Sequence, residues 1–378
     1  MSASGVQLGA GSPVPRATAP GPARAGPVAA RGRFSTLPYA DRFGSLVRPG
    51  MRVLITGGSG FIGTNLVDFY HRAGARVVNV DIKPPRDETH RALWTNLDIR
   101  DRDAYVAAAA AFDPELFLHL AARTDLDEAD DLEGYAANTR GTSNTLVALE
   151  ALRNVRLAIL TSTQLVCEPG YTPQREDDYR PHTLYGQSKV IMERLVRGWK
   201  KPSCPWTMVR PTSIWGPWFA IPYKTFFLQI ARRMYFHQRG VNARRSFGFV
   251  GNAVYQYAAM ANAPTEQMHG QTFYMANNDP VLVRDWADLI QREMGIRPLR
   301  EIPLSWLRLA ARVGDLCARV GWKSVPITSF RLKNLTGDNI CDMTPVRRLV
   351  GDMPFGDEEG VQITVRWMRE EGSVPGAG

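Results

Sequence analysis

Tyr185 and Lys189, in Tyr185-Gly186-Gln187-Ser188-Lys189, stand at i and i+4 in a segment of helical length, so a helix puts both on one face. A phenol with a pKa of about 10 is a poor base at neutral pH. A neighbouring ammonium favours the phenolate and brings that pKa toward the working range. Such a pair can exchange a proton with an alcohol or carbonyl oxygen while a hydride moves at the attached carbon. Upstream, Ile159-Leu160-Thr161-Ser162-Thr163 ends an apolar run in three hydroxyls, any of which could hold the substrate oxygen for Tyr185. The same three could form a capping turn, and spacing does not choose among them.

A hydride needs a carrier, and a second motif supplies a place for one. Thr56-Gly57-Gly58-Ser59-Gly60-Phe61-Ile62-Gly63 follows the apolar run Val53–Ile55 and opens a helix-length segment, with glycines at 57, 60 and 63. That is a G-x-x-G-x-x-G spacing. It serves a tight turn, close backbone approach to a pyrophosphate and close packing of helix on strand. The helix N-terminus adds unpaired N–H groups and a favourable dipole. Asp81 closes the next apolar run, 18 residues past Gly63. An acid there can accept both ribose hydroxyls and repels a 2′-phosphate, which favours NAD over NADP. Asn96-Leu97-Asp98-Ile99 puts another acid where it could reach the adenine amino group. Leu118-His119-Leu120-Ala121-Ala122 ends a further run in small residues that let backbone lie against the cofactor, and His119 itself reads as a packed strand residue.

The elements that must position these groups alternate. Short apolar runs at Val53–Ile55, Val77–Val80, Leu116–Leu120, Leu157–Leu160 and from Met208–Val209 are separated by helix-length segments at Phe61–Ala73, Asp101–Ala111, Gly134–Arg153 and Tyr185–Trp199. This spacing predicts an α/β fold, a Rossmann-type doubly wound parallel sheet over residues 51–215. After 215 the alternation breaks and Pro, aromatic and basic residues become denser, which predicts a smaller mixed part over 216–372 that caps the sheet and binds substrate. Trp215, Pro217, Trp218, Phe219 and Tyr223 either stack on a base or sugar or pack that part. The basic, aromatic stretch from Lys224 to Arg239 reads as a pocket-lining helix, with a membrane-surface contact as the other possibility.

The chain has 378 residues and a formal net charge of +9, of which +5 falls in residues 1–50. The remainder is close to balanced, with 40 basic and 36 acidic residues and no basic stripe interleaved with aromatics, so a nucleic-acid partner is not expected. The four cysteines have no metal-type spacing, so no metal site is expected and a reducing, cytoplasmic location is. No apolar run is long enough to span a membrane. Residues 1–49, rich in Ala, Gly, Pro and Arg, read as a disordered or mis-annotated extension, with Met51 as the natural start.

Taken together, these residues resemble the extended short-chain dehydrogenase/reductase family, the NAD-dependent epimerases and dehydratases that act largely on nucleotide sugars. The similarity runs in order from Met51 to about Phe249 and includes Asn138-Thr139-Arg140-Gly141-Thr142 and Arg210-Pro211 beside the motifs above. It implies that Tyr185 is the general acid/base, that Lys189 holds the nicotinamide ribose and tunes Tyr185, and that Thr163 orients the substrate oxygen. It implies cofactor contacts from Gly57, Gly60, Phe61, Ile62, Gly63, Asp81, Asp98, Ile99, Leu120, Ala121, Ala122 and Asn138. Arg245 resembles the Arg that binds a nucleotide-sugar diphosphate, and Ser213 stands where an Asn near that diphosphate is often found. A homodimer through the segments Gly134–Arg153 and Tyr185–Trp199 is implied as well.

Departures from the family pattern narrow the reaction. In the 4,6-dehydratases and related decarboxylases one or two acids follow the catalytic hydroxyl; here those positions are Gln164 and Leu165, so dehydration is not expected. The expectation is an epimerase on a nucleotide sugar, working by transient hydride transfer with NAD. Its rivals are a net sugar or 3β-hydroxysteroid-type oxidoreductase and a non-catalytic NAD-binding scaffold.

Overall fold

The computed structural model describes residues 34–125, 131–220, 222–319 and 329–375. Helix α1 (Tyr39–Phe43) leads into the alternating region: β1 (Arg52–Thr56), α2 (Phe61–Arg72), β2 (Arg76–Asp81), β3 (Trp94–Asn96), α3 (Arg102–Phe112), β4 (Leu116–His119), α4 (Ala136–Glu150), β5 (Leu157–Thr161), α5 (Leu184–Arg197) and β6 (Trp206–Pro211). Then follow β7 (Ser213–Trp215), α6 (Tyr223–Ala231), β8 (Phe236–Arg239), β9 (Arg244–Arg245), β10 (Phe247–Phe249), α7 (Val250–Asn262), α8 (Thr265–Met268) and β11 (Thr272–Met275). The chain finishes with β12 (Val281–Leu282), α9 (Val283–Glu293), β13 (Arg300–Pro303), α10 (Leu304–Arg319), α11 (Ser329–Thr336), α12 (Thr344–Val350) and α13 (Asp357–Glu371).

Seven strands form one parallel sheet in the order β11-β6-β5-β4-β1-β2-β3. Its strands are apolar on both faces because helices cover both, and a period of two sends alternate residues to opposite layers. Val53, Ile55, Leu116, Leu118 and Ile159 enter the layer that holds α2 and α7. Leu54, Phe117, Ala158 and Leu160 enter the layer of α3, α4 and α5. Strand order reverses at β1, between β2 and β4, which opens a crevice at the carboxyl ends of the strands. This is the predicted Rossmann-type sheet.

The division expected at residue 215 is less clean than the alternation suggested. Strand β11 returns from the C-terminal part to pair with β6, and α7 packs on α2. Three two-stranded pairs, β7 with β10, β9 with β12 and β8 with β13, build the rest of that part. For three of its aromatics the open choice resolves as packing. Trp215 is fully buried against Phe249 and Trp286, while Trp218 and Phe219 lie against Trp367.

Reading residues 1–49 as an extension ahead of the fold fails over residues 34–49. Tyr39, Phe43 and Val47 are buried in the same core as β1 and α7, and Phe34 packs edge-on to Trp218. Arg42 forks the Glu359 carboxylate at 2.6 and 2.8 Å. Composition averaged over fifty residues hid an apolar cluster, Phe34 to Val47, at its end. Residues 1–33 lie outside the described residues.

Candidate active site

The glycine loop joins β1 to α2 at the crevice. Gly57 adopts φ +73°, and a Cβ there would lie 2.6 Å from the Ala121 nitrogen, so only glycine lets the loop touch the chain leaving β4. A Cβ on Gly63 would stand 2.1 Å from the Gly57 oxygen, so glycine also lets α2 start directly under the loop. Gly60 is the N-cap of α2 and offers no side chain to its first N–H groups, with Phe61, Ile62 and Gly63 forming that turn. Leu120 and Ala121 lie alongside, their N–H groups donating to the Thr56 carbonyl and hydroxyl, and Ala122 follows, half-buried.

Asp81 ends β2 at the mouth of this loop. Its carboxylate accepts the backbone N–H groups of Ser59 at 3.0 Å and Lys83 at 2.9 Å. Burial raises its pKa, and those two donors oppose the rise. Arg86 was not foreseen: it donates to the Ser59 carbonyl at 3.0 Å and to the Trp218 carbonyl, tying the loop to the C-terminal part. The glycine turn, the uncapped helix start and the Asp81 carboxylate fit a dinucleotide.

Three expected cofactor contacts have partners within the protein. Asp98 is forked by Arg100 at 2.6 and 2.9 Å, a hydrogen-bonded pair that holds its carboxyl below the usual range. Ile99 is buried where Gly141 lets α4 approach, and its carbonyl accepts from Asn144 at 2.9 Å. Asn138 has both amide hydrogens committed, to the Arg123 carbonyl and the Ser188 hydroxyl, each at 2.9 Å. It braces the loop after β4 against α5. The reason is burial: at 1% exposure an amide must find partners inside the fold.

Thr163 and Tyr185 meet at the carboxyl end of β5. The Thr183 hydroxyl accepts from the Gly186 N–H at 3.0 Å, starting α5 one residue before Tyr185. Gly186 has no room for a Cβ, which would lie 2.3 Å from the Leu165 carbonyl, so the helix presses onto the turn after Thr163. Burial pushes the Tyr185 pKa up to about 12, and the neighbouring Thr163 hydroxyl opposes the rise. The expected lowering by Lys189 is not realised here. Its ammonium turns to the Thr161 carbonyl at 2.8 Å, and burial brings it down to about 8. His119 is the packed strand residue expected: Nδ1 lies 2.8 Å from the Thr56 hydroxyl, and burial lowers its pKa to about 3.

Beneath the pair lies a buried network that the sequence reading missed. Glu193, one turn after Lys189, is fully buried and binds Arg210 at 2.7 and 2.8 Å, Ser162 at 2.6 Å and Tyr179 at 2.9 Å. The signal was available: an acid at i+4 on the inward face of a helix, and an arginine inside an apolar strand. Tyr135 also went unnoticed; its ring lies 6.1 Å from that of Tyr185.

On the C-terminal side, the Tyr223 hydroxyl donates to buried Ser213 at 2.6 Å, and burial lowers the pKa of half-buried Arg245, with Asp338 opposing. Gln164, next to Thr163, accepts from Asn339 at 3.4 Å and so fastens the Thr163 turn to the residue bridged with Arg245.

The chain is similar to known proteins over most of its length. The chain is 25% identical to an Escherichia coli O157:H7 N-acetyl-alpha-D-glucosaminyl-diphospho-ditrans,octacis-undecaprenol 4-epimerase, over 83% of this chain and 94% of that protein. It is 26% identical to a Mycobacterium tuberculosis 3 beta-hydroxysteroid dehydrogenase/Delta 5-->4-isomerase, over 80% and 86% respectively. The crystal structure of UDP-glucuronic acid 4-epimerase from Bacillus cereus in complex with NAD shares the fold, with a TM-score of 0.64 at 18% identity, covering 85% of this chain and 99% of that one. The model of the NAD dependent epimerase/dehydratase family matches residues 53–276, from the first residues of β1 to just past β11. With the glycine loop, Asp81 and the Tyr185–Thr163 pair all inside that match, the chain belongs to this family of NAD-dependent enzymes.

Proposed function

We propose that this protein is an NAD-dependent epimerase that acts on a nucleotide sugar by transient hydride transfer. The observation that carries the reading is the Tyr185 hydroxyl beside Thr163, at the same sheet edge as the glycine loop and one helical turn from Lys189. Gly57, Gly60, Phe61, Ile62 and Gly63 would hold the pyrophosphate, and Asp81 the adenosine ribose. Asp98 and Ile99 would border the adenine, Leu120, Ala121 and Ala122 would back the cofactor, and Asn138 would keep that backing in place. When bound, NAD accepts a hydride from a secondary alcohol carbon and can return it.

The residues of the chain do the rest. Thr163 and Tyr185 together hold the oxygen of that carbon, and Tyr185 takes its proton and gives it back. Lys189 turns from Thr161 to the nicotinamide ribose, where its charge stabilises the phenolate. Arg245, with Ser213 and Tyr223 beside it, anchors the diphosphate while the sugar presents either face. Gln164 and Leu165 supply no acid for elimination of water. A homodimer through α4 and α5, which pack side by side, belongs to the same reading.

A panel of UDP- and dTDP-sugars tests it, with NADH followed by absorbance and sugars by chromatography. An isomerised sugar without accumulating NADH supports the epimerase. Stoichiometric NADH with a keto product would replace it by a net oxidoreductase, the second reading, which the steroid dehydrogenase relative favours. No turnover of any sugar or steroid, with NAD still bound, would leave the scaffold.

A further inference from the structure

Helix α10 is apolar on two sides. Inward, Leu307 and Ala311 are buried with Leu332 of α11 and pack against Phe236 and Ile302. Outward, Trp306 is 72% exposed, Leu309 65%, Val313 55% and Leu316 61%. At 3.6 residues per turn these four fall within a sector roughly 80° wide, pointing away from Leu307 and Ala311. A helix with apolar residues on both sides is ordinarily enclosed, and an outward stripe of this size marks a contact.

The charge around the stripe states what it contacts. Arg308 and Arg312 are exposed along one flank. Strand β8 pairs with β13, which runs directly into α10, and the turn entering β8 carries exposed Arg232 and Arg233 with Met234 64% exposed. The carboxylates nearby are engaged: Asp315 accepts the Ser329 N–H at 3.0 Å, and Glu301 pairs with Arg239 and Arg284. Among the described residues of α10, none in the outward sector is acidic. A second copy docking through a two-fold contact would set the same arginines near each other with no acid to pair them. An anionic bilayer offers both complements, an apolar boundary and phosphates.

We propose that the outer face of α10 docks this enzyme on an anionic membrane surface, its four apolar side chains at the headgroup boundary and Arg308 and Arg312 on lipid phosphates. Among the described residues no helix is long and apolar enough to cross a membrane, so the contact is peripheral. The proposal does not depend on the identity of the substrate. It does bear on access, since β8 lies in the chain between Tyr223 and Arg245.

Co-sedimentation of the full chain with vesicles tests it, comparing phosphatidylcholine alone with phosphatidylcholine containing 30% phosphatidylglycerol. The bound fraction should rise at least tenfold with the anionic lipid and fall as salt increases. A triple variant, Trp306→Ser, Leu309→Ser and Leu316→Ser, should lose that binding at least tenfold. Arg308→Glu with Arg312→Glu should lose the preference for phosphatidylglycerol, and this pair keeps the test open if the triple variant misfolds by circular dichroism. Wild-type protein left in the supernatant, or both folded variants sedimenting like wild type, overturns the proposal. So does light scattering that shows the triple variant breaking an oligomer with no vesicle binding by the wild type, which would assign the face to a second copy.

Discussion

The Lys189 ammonium lies 2.8 Å from the carbonyl oxygen of Thr161, two residues before the Thr163 hydroxyl that neighbours Tyr185. Burial lowers its pKa from 10.5 to about 8. Between those values the unfolded chain binds the proton that the folded chain has lost, so this group makes stability rise with pH across that window. Below about pH 8 its cost is fully present. Urea unfolding at pH 7.5 and 9.5 should show a rise in wild type that Lys189→Met lacks, a difference of about 2 kcal/mol because the interval covers only part of the shift. NAD affinity of the free chain should move the other way, weakening above about pH 8.

Tyr185→Phe removes the proton carrier and leaves the ring in place. Turnover should fall by about 10²–10⁴-fold, the usual contribution of a positioned acid/base. NAD binding, measured by titration calorimetry, should change little. Thr163→Val should lower turnover in the same direction. Full activity in Tyr185→Phe would remove it from the chemistry.

Glu193→Ala strands the Arg210 guanidinium, which is 2% exposed, without its carboxylate. Breaking a buried pair by removing one partner costs about 3–5 kcal/mol. Chemical denaturation should show a loss in that range. Replacing both residues by apolar ones of similar size should recover part of it.

Tyr39→Ala or Phe43→Ala should each destabilise the protein by about 3–5 kcal/mol, the cost of emptying a buried aromatic site. A chain beginning at Met51 should unfold well below the temperature of one that retains residues 34–50. Equal thermal midpoints for the two would show that α1 does not support the core.

Much of the catalytic half was legible because its signals are local. The glycine spacing requires one turn, Asp81 terminates one strand, and Tyr185 and Lys189 share one helix face; each needs only neighbours in sequence. Apolar runs separated by helical lengths likewise imply a parallel sheet without knowledge of any contact. The structure keeps all of these.

What it altered depends on distant partners. Asn138 was legible only as a motif residue, and burial is what commits its amide to Arg123 and Ser188. The Tyr185 pKa rises because the fold excludes water from it, a property no i,i+4 spacing conveys. Phe34 to Val47 looked disposable from composition, and joined the core because Trp218, Phe69 and Phe355 wait there from three other regions. Glu193 and Arg210, 17 residues apart, became a pair only when α5 was laid against β6. Sequence by itself determined the sheet and the chemistry carried on single elements, since both follow from short-range sterics and periodicity. Tertiary structure alone decided which polar groups are free to act, because desolvation and hydrogen-bond partners are set by whichever elements the fold brings together.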